Sequence, residues 1–152
     1  MRTLAVLSFF LVTSSLLAAD AEVWSSPKLK SYAIEMAPHL NEQHYALERL
    51  GDFGSHYVLV VHREGNGPAE VHDGQTDFYV VQAGSATLHI GGEVVGGKTT
   101  DPGEIRGKSL KGAKTRKIAA GDIVNIPAKL PHQITVDEGE TITYLIVKVH
   151  AK

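Results

Sequence analysis

Cysteine is absent from this chain of 152 residues. No disulfide can stabilise the protein, so its stability must come from a core, from oligomerisation or from a bound metal. The absence of thiolates also excludes the cysteine-rich structural zinc sites. Any metal site must therefore use histidine, aspartate and glutamate side chains as ligands.

A strong excess of charge of one sign is also lacking. Fifteen Lys and Arg residues stand against 17 Asp and Glu, for a formal net charge of -2. This balance gives no reason to expect a nucleic-acid partner. The composition, 43% hydrophobic and 21% charged, is that of a globular chain, and the length suits one domain.

A long apolar run occurs only at the N-terminus. Residues 4–19 are apolar or small, they follow Arg2, and they lead into the A-x-A pattern Ala19-Asp20-Ala21. We interpret residues 1–21 as a secretory signal peptide, and we expect an exported protein, periplasmic or secreted. The alternative, a transmembrane anchor, needs about 20 apolar residues, and no second apolar segment follows, so no membrane span is expected after cleavage.

Residues 22–42 are predicted to form a short helical segment. Ser26 is the expected N-cap and Pro27 the first helical residue. Apolar residues follow at helical spacing, and Pro38 should end or kink the helix near Ala37. Such a helix, placed before a sheet domain, is expected to pack on its outside or to contact a second subunit.

From residue 43 onward the apolar pattern changes to a period of two, which is typical of strands. Two strand pairs are predicted as hairpins, one over the turn Asp73-Gly74 and one over Gly91-Gly92, and Gly84 should end a strand. About nine short strands with frequent turns indicate an all-β sandwich or barrel. The predicted strands are 43–50, 55–63, 70–72, 77–82, 85–90, 93–95, 123–126, 133–136 and 141–149.

The segment 96–117 has no clear periodicity and is predicted to be a long loop. It contains seven basic residues, opposed only by Asp101 and Glu104. One interpretation is a lid that attracts an anionic ligand. The other is a solvated surface loop, which is the commoner role of a charge run.

A candidate metal site combines residues from two parts of the chain. Glu70 and His72 share one face of a strand, Asp77 lies on the next strand, and His132 follows more than fifty residues later. Two imidazoles and two carboxylates suit Fe, Mn, Zn, Ni or Cu better than Ca, which prefers oxygen ligands alone. A short E-x-H pair also arises by chance, so the spacing of the remaining residues decides its significance.

That spacing resembles the first motif of the cupin superfamily, approximately G-x5-H-x-H-x3,4-E-x6-G. His72 matches the second histidine of the motif, and Gly84 matches its closing glycine. Glu70 replaces the first histidine and Asp77 replaces the glutamate. Both replacements remain potential metal ligands, and they make the expected site more anionic.

A second segment resembles the second cupin motif, G-x5-P-x-G-x2-H-x3-N. Gly121, Pro127 and His132 match it in order and separation. Lys129 stands where the motif usually has glycine, and Val136 stands where it usually has asparagine. Neither of these two differences falls on a ligand position.

The resemblance implies a double-stranded β-barrel over residues 43–152, often dimeric, with one metal in its mouth. Carried over by position, the ligands are Glu70, His72, Asp77 and His132. The implied cofactor is a divalent ion, with Mn, Fe or Zn as candidates, and the implied partner is a small molecule.

Two residues are candidates for chemistry beside the metal. Glu70 could leave the metal and act as a general base, and Tyr79, two residues after Asp77, could donate a hydrogen bond to a ligand. The alternative for Tyr79 is core packing with its hydroxyl at the barrel mouth. The alternatives for the whole protein are a non-catalytic binding module and a barrel whose metal is structural.

Overall fold

A computed structural model of the protein describes residues 21–151. The predicted signal peptide lies outside these residues except for Ala21. No helix within the described residues is long and apolar enough to cross a membrane. They form helix α1 (Ser26–Met36), a 3-10 turn (Ala37–His39) and twelve strands, β1 (Tyr45–Asp52), β2 (His56–Arg63), β3 (Ala69–His72), β4 (Gln75–Ile90), β5 (Glu93–Val95), β6 (Lys98–Asp101), β7 (Glu104–Gly107), β8 (Ser109–Lys111), β9 (Lys114–Ala119), β10 (Ile123–Ile126), β11 (His132–Thr135) and β12 (Ile142–His150).

Helix α1 forms where the sequence predicts it, but its cap is one residue earlier. Ser25 has an extended backbone, and its hydroxyl accepts a hydrogen bond from the Lys28 N–H at 3.4 Å. The prediction of Ser26 as N-cap is therefore wrong by one position. The α-helix ends at Met36 and continues as the 3-10 turn Ala37–His39. Ala37 keeps helical backbone angles, but Pro38 has no N–H with which to extend the α-helical hydrogen bonds.

Two antiparallel sheets face each other and share one long strand. The first sheet has the order β1-β2-β12-β4-β10, and the second has the order β6-β7-β3-β11-β4-β9. Residues 75–84 of β4 pair with β12, whereas residues 85–90 pair with β9. The predicted all-β, double-stranded barrel with a short N-terminal helix is confirmed.

Gly84 lies at the point where β4 passes from one sheet to the other. The expectation that it ends a strand is wrong, since β4 continues to Ile90. Gly84 has φ 72°, and a Cβ on it would lie 1.9 Å from the carbonyl oxygen of Thr141. Only glycine fits a backbone with this conformation and this close an approach.

Neither of the two predicted hairpins forms. Strand β3 pairs with β7 and β11, not with β4, so the turn at Asp73-Gly74 connects the two sheets. Strand β5 pairs with β8 across the segment 96–108, not with β4. The turn residues correctly mark a change of chain direction, but tertiary packing selects the partner strand.

The prediction of a long loop over residues 96–117 is also wrong. The segment contains β6, β7, β8 and the beginning of β9. These strands have only three to six residues, and most of their side chains are exposed or half-buried. A strand with little buried surface has no need for alternating apolar residues, so the period-two signal is missing.

The alternation in β2 divides the core into two parts. Leu59 and Val61 point into the barrel, whereas Val60 points outward and packs with Tyr32 and Met36 of the helix. Helix α1 thus covers the outer face of the first sheet. This is the first of the two placements expected from the sequence, packing on the outside of the sheet domain. The inner core consists of Leu59, Val61, Tyr79, Val81, Ala86, Leu88, Ile118, Ile126, Ile134, Val136, Ile142, Tyr144 and Ile146.

Candidate metal centre

Strand register brings seven polar side chains together at one end of the barrel. Strands β3, β7 and β11 of the second sheet and β4 and β12 of the first sheet each contribute at least one. The cross-strand pairs are Glu70–Arg106, His72–Glu104, His132–Glu70 and Asp77–Lys148. Opposed residues on neighbouring strands lie close enough for direct contact, so the register itself assembles the cluster.

Three of the four predicted ligands converge. Glu70, His72 and His132 each offer one donor atom, and these atoms all lie within 4.8 Å of one another. Both histidines are buried, and the Glu70 side chain keeps 26% of its surface exposed. A Glu70 carboxylate oxygen lies 3.6 Å from Nε2 of His72 and 3.7 Å from Nε2 of His132.

The orientation of His132 is fixed by its other nitrogen. Nδ1 lies 3.0 Å from the carbonyl oxygen of Leu130, which only accepts hydrogen bonds, so Nδ1 holds the proton. Burial lowers the pKa of His132, which keeps the ring neutral.

Nε2 of His132 therefore presents a lone pair to the cluster. This buried atom has no hydrogen-bond partner among the described residues. The carboxylates of Glu70 and Asp77 each lie 3.7 Å from it. A buried lone pair that faces two carboxylates is unfavourable unless a cation lies between the nitrogen and the carboxylate oxygens. This donor set therefore fits a metal ion.

His72 is oriented by a carboxylate that the sequence interpretation missed. Its Nδ1 lies 2.6 Å from Glu104, which directs Nε2 towards the cluster. A carboxylate that accepts a hydrogen bond from a ligating histidine is a common feature of metal sites. Arg106 links the two acids, with contacts of 2.9 Å to Glu104 and 3.2 Å to Glu70. Glu104 and Arg106 lie in the segment predicted as a loop, and no sequence pattern placed them here.

The pKa values show which charges this cluster favours. Burial lowers the pKa of His72, but hydrogen bonds to Asp77 and Glu70 outweigh it and raise the pKa to about 9. Burial raises the pKa of both carboxyls, but the hydrogen bond to His72 and the nearby cations lower each to about 2. The cluster therefore favours two ionised carboxylates and a positive charge near Nε2 of His72, whether a proton or a metal provides it.

Lys148 is a third residue that the sequence interpretation missed. Its Nζ donates to both oxygens of Asp77, at 2.7 and 2.9 Å, and lies 3.0 Å from Nε2 of His72. A metal would bind His72 through this same Nε2, so Lys148 must move before a metal binds there. In the present arrangement Asp77 is the counter-ion of Lys148. The sequence did contain a signal for it. Lys148 alternates with Tyr144 and Ile146 on β12, so it shares their inward face.

Tyr79 is buried beside the cluster. Its hydroxyl lies 3.4 Å from Asp77, and its ring packs against Tyr144 with centroids 5.0 Å apart. The packing role foreseen for Tyr79 is thus present. Its predicted hydrogen bond to a ligand stays a prediction.

A cavity of about 910 Å³ adjoins the cluster and occupies the barrel mouth. Glu70, Tyr79, Arg106 and Lys148 lie in its wall, together with apolar residues of β2 and β12. Its volume lies in the range of small-molecule sites. His89, which is half-buried, also lines it, and its Nε2 lies 2.9 Å from the hydroxyl of Thr135.

No protein-family model matches the chain, and no curated protein matches it by sequence. Solved structures do match. One is an uncharacterized protein with a double-stranded β-helix domain from Klebsiella pneumoniae, 15% identical with a TM-score of 0.58, over 88% of this chain and 99% of that one. The barrel has the cupin fold.

Two enzymes with the cupin fold are also similar. The DMSP lyase DddQ from Ruegeria pomeroyi is 18% identical with a TM-score of 0.52, over 73% of this chain and 51% of that one. An oxalate oxidase is 17% identical with a TM-score of 0.52, over 72% of this chain and 53% of that one. The chain thus spans about half the length of these enzymes. At such identities the similarity shows the fold alone.

The cupin geometry explains one departure from the second motif. Lys129, where the motif usually has glycine, adopts φ 69°. This left-handed conformation costs roughly 1–2 kcal/mol for a residue with a Cβ. The Lys129 N–H donates to the His72 carbonyl oxygen at 2.8 Å, so the strained turn fixes the loop before His132 against strand β3.

Proposed function

We propose that this protein is an exported cupin that binds a divalent metal and a small molecule at the mouth of its barrel. Glu70, His72 and His132 are the primary ligands, and Asp77 becomes available when Lys148 moves. The observation that supports this proposal most directly is the buried Nε2 lone pair of His132, which has no partner among residues 21–151 and faces two carboxylates.

The metal, when bound, would act as a Lewis acid on a substrate oxygen. Glu70 connects the ligand cluster with the cavity, because it belongs to both. The pKa of Glu70, about 2, makes it a weak base while the hydrogen bond to His72 and the contact with Arg106 hold it ionised. Proton abstraction by Glu70 therefore requires that these contacts loosen on substrate binding. A Glu70→Gln protein that retains the metal but loses turnover would support that role, and full turnover would contradict it.

A second candidate function is a small-ligand binding module that works without a catalytic metal. The position of Lys148 favours it, because the ammonium already provides positive charge between His72 and Asp77. A cupin with a purely structural metal belongs to the same non-catalytic class. Metal binding and turnover, measured separately, distinguish these possibilities.

The decisive experiment measures the metal content of the untagged protein and its melting temperature before and after chelation. We expect about one ion per chain. A site saturated a hundredfold above its Kd stabilises by about 2.7 kcal/mol, so chelation should lower the melting temperature by roughly 10 °C. His132→Gln should abolish this difference, whereas His39→Gln, on an exposed histidine of the 3-10 turn, should preserve it. Absence of metal together with an unchanged melting temperature would refute the metal site.

Export is a separate part of the proposal. It is supported by the apolar run and the A-x-A pattern at residues 19–21. Intact-mass analysis of protein from the extracytoplasmic fraction should give a mature chain that begins at Glu22. A full-length mass with the protein retained in the cytoplasm would contradict it.

A further inference from the structure

We infer that the small molecule of this cavity carries a carboxylate on an apolar body, and that Arg63 binds the carboxylate. This inference rests on the proposed binding of a small molecule, but it does not require the metal. It follows from an arginine that took no part in the site described above.

Arg63 is buried in the cavity wall without a counter-ion. Only 7% of its surface is exposed, and it follows Leu59 and Val61 on the inward face of β2. Among residues 21–151 no carboxylate lies within ion-pair distance of it, and its Nε has no hydrogen-bond partner. Its one hydrogen bond, to the Gly65 carbonyl oxygen, is long at 3.5 Å. A buried guanidinium with so few partners is costly, and an anionic ligand would remove that cost.

The guanidinium is also held in a fixed orientation. Its Cζ lies 4.8 Å from the centroid of the Tyr45 ring. On another side it meets the backbone of Gly67, where a Cβ would lie 3.2 Å from Cζ. A planar donor group held in this way can bond both oxygens of a carboxylate with little further loss of conformational entropy.

The remaining charges of the wall favour an anion as well. Four of its charged side chains are basic, namely Arg63, Arg106, Lys108 and Lys148, and one is acidic, Glu70. Arg106 pairs with Glu70, and Lys148 pairs with Asp77 beneath the wall. Arg63 and Lys108 then have no carboxylate partner within residues 21–151, so the cavity attracts negative charge.

Uncharged polar side chains, among them Gln43, Ser109 and Gln133, also line the wall, and one part of it is apolar. Leu59, Val61, Tyr144 and Ile146 line it beside Arg63. Such a surface gains free energy by covering apolar atoms of a ligand, not by binding a fully hydrated ion. A carboxylate attached to a ring or a short chain satisfies both parts of the cavity.

The test compares phenylacetate with phenylacetamide, which have nearly the same shape and differ in charge. Calorimetric titration of the full mature chain, both metal-loaded and chelator-treated, should show at least tenfold tighter binding of phenylacetate. Arg63→Met should remove this preference and change phenylacetamide binding less than twofold. Arg63→Lys keeps the charge but loses the planar fork, so it should retain part of the preference.

Arg49 offers a matched control. It also lies over a tyrosine ring, with Cζ 4.2 Å from the centroid of Tyr57, but it is exposed and pairs with Asp52. Arg49→Met should leave the preference unchanged. Arg63→Met should not lower the melting temperature, because it removes a buried charge without a partner. If the role of Arg63 were purely structural, Arg63→Met would lower the melting temperature and leave the preference for phenylacetate intact.

Three results would overturn the inference. They are equal binding of the two probes by the wild-type protein, no phenylacetate binding up to about 10 mM, and a preference that disappears on chelation because the metal holds the anion. Failure of the metal proposal gives a different result, since a protein that never binds metal would still show the Arg63-dependent preference.

Discussion

Replacing Lys148 with methionine should tighten metal binding. Lys148 Nζ lies 3.0 Å from Nε2 of His72 and bonds both oxygens of Asp77. The ammonium thus lies against the nitrogen through which His72 would bind a metal, and it neutralises Asp77, another proposed ligand. Methionine is unbranched and of similar length, so Lys148→Met removes the charge with little change in packing.

The expected gain follows from what the native protein must give up. A metal bonded to His72 at about 2.1 Å would lie within about 5 Å of an unmoved ammonium, and at an effective dielectric constant near 20 a divalent ion would be repelled by roughly 6 kcal/mol. Lys148 avoids this repulsion by moving away, which sacrifices a charge-assisted hydrogen bond of about 1.5–3 kcal/mol. Lys148→Met has no such cost, so the metal Kd should fall by about tenfold to a hundredfold.

A competition titration of Zn²⁺ or Mn²⁺ against a chromophoric chelator measures this change. Lys117→Met is the matched control, because Lys117 is an exposed lysine paired with Asp137. A second substitution, Asp77→Asn, should remove most of the gain if Asp77 becomes the fourth ligand. An unchanged or weaker affinity in Lys148→Met would refute the reasoning. It would also favour the metal-free binding module, in which Lys148 takes the place of the ion.

Three further predictions concern other parts of the structure. Because the pKa of His72 is about 9, His72 must lose a proton before a metal binds it. Metal affinity in the same titration should therefore rise about tenfold per pH unit from pH 7 to 9 and level off above pH 9. A flat profile would contradict this. Glu104→Gln should weaken metal binding by about tenfold to a hundredfold, since it loosens His72, and should leave the melting temperature of the metal-free protein nearly unchanged. Gly84→Ala should lower the free energy of unfolding in urea by at least about 2 kcal/mol, because its Cβ would overlap a carbonyl oxygen. Gly54→Ala, at φ 77° with no neighbour within 4 Å, should cost only about 1 kcal/mol.

The all-β fold was predictable from sequence because its central strands bury one face. In β2, alternation puts Leu59 and Val61 on one face and Val60 on the other, and the structure shows that the first face points into the barrel. Alternation likewise puts Glu70 and His72 on one face of a strand. The convergence of His132 with them was implied by the resemblance to the two cupin motifs, and the structure brings the three residues together.

The partners of these residues could not be predicted, because they depend on the register between strands that are distant in sequence. His72 meets Glu104 after 32 residues and Lys148 after 76. The short strand β7 has only half-buried residues, so nothing in its sequence distinguished Glu104 and Arg106 from surface charges. Pairing across a barrel is determined by the packing of the whole sheet, and local patterns do not contain that information.

The departures of this barrel from the cupin motif have a common electrostatic explanation. Glu70 in place of the motif's first histidine adds a negative charge to a cluster that also contains Asp77 and Glu104. Arg106 and Lys148 neutralise two of these three carboxylates, which leaves one negative charge at the two histidines once His72 has lost its proton. A divalent ion would more than compensate this charge. To admit the ion, Lys148 would have to move away from His72, and only then could it keep its bond to Asp77. Glu70 thus strengthens the attraction for a cation while Lys148 competes for the same place, so the choice between a metal centre and a metal-free binding site depends on the balance between these two residues.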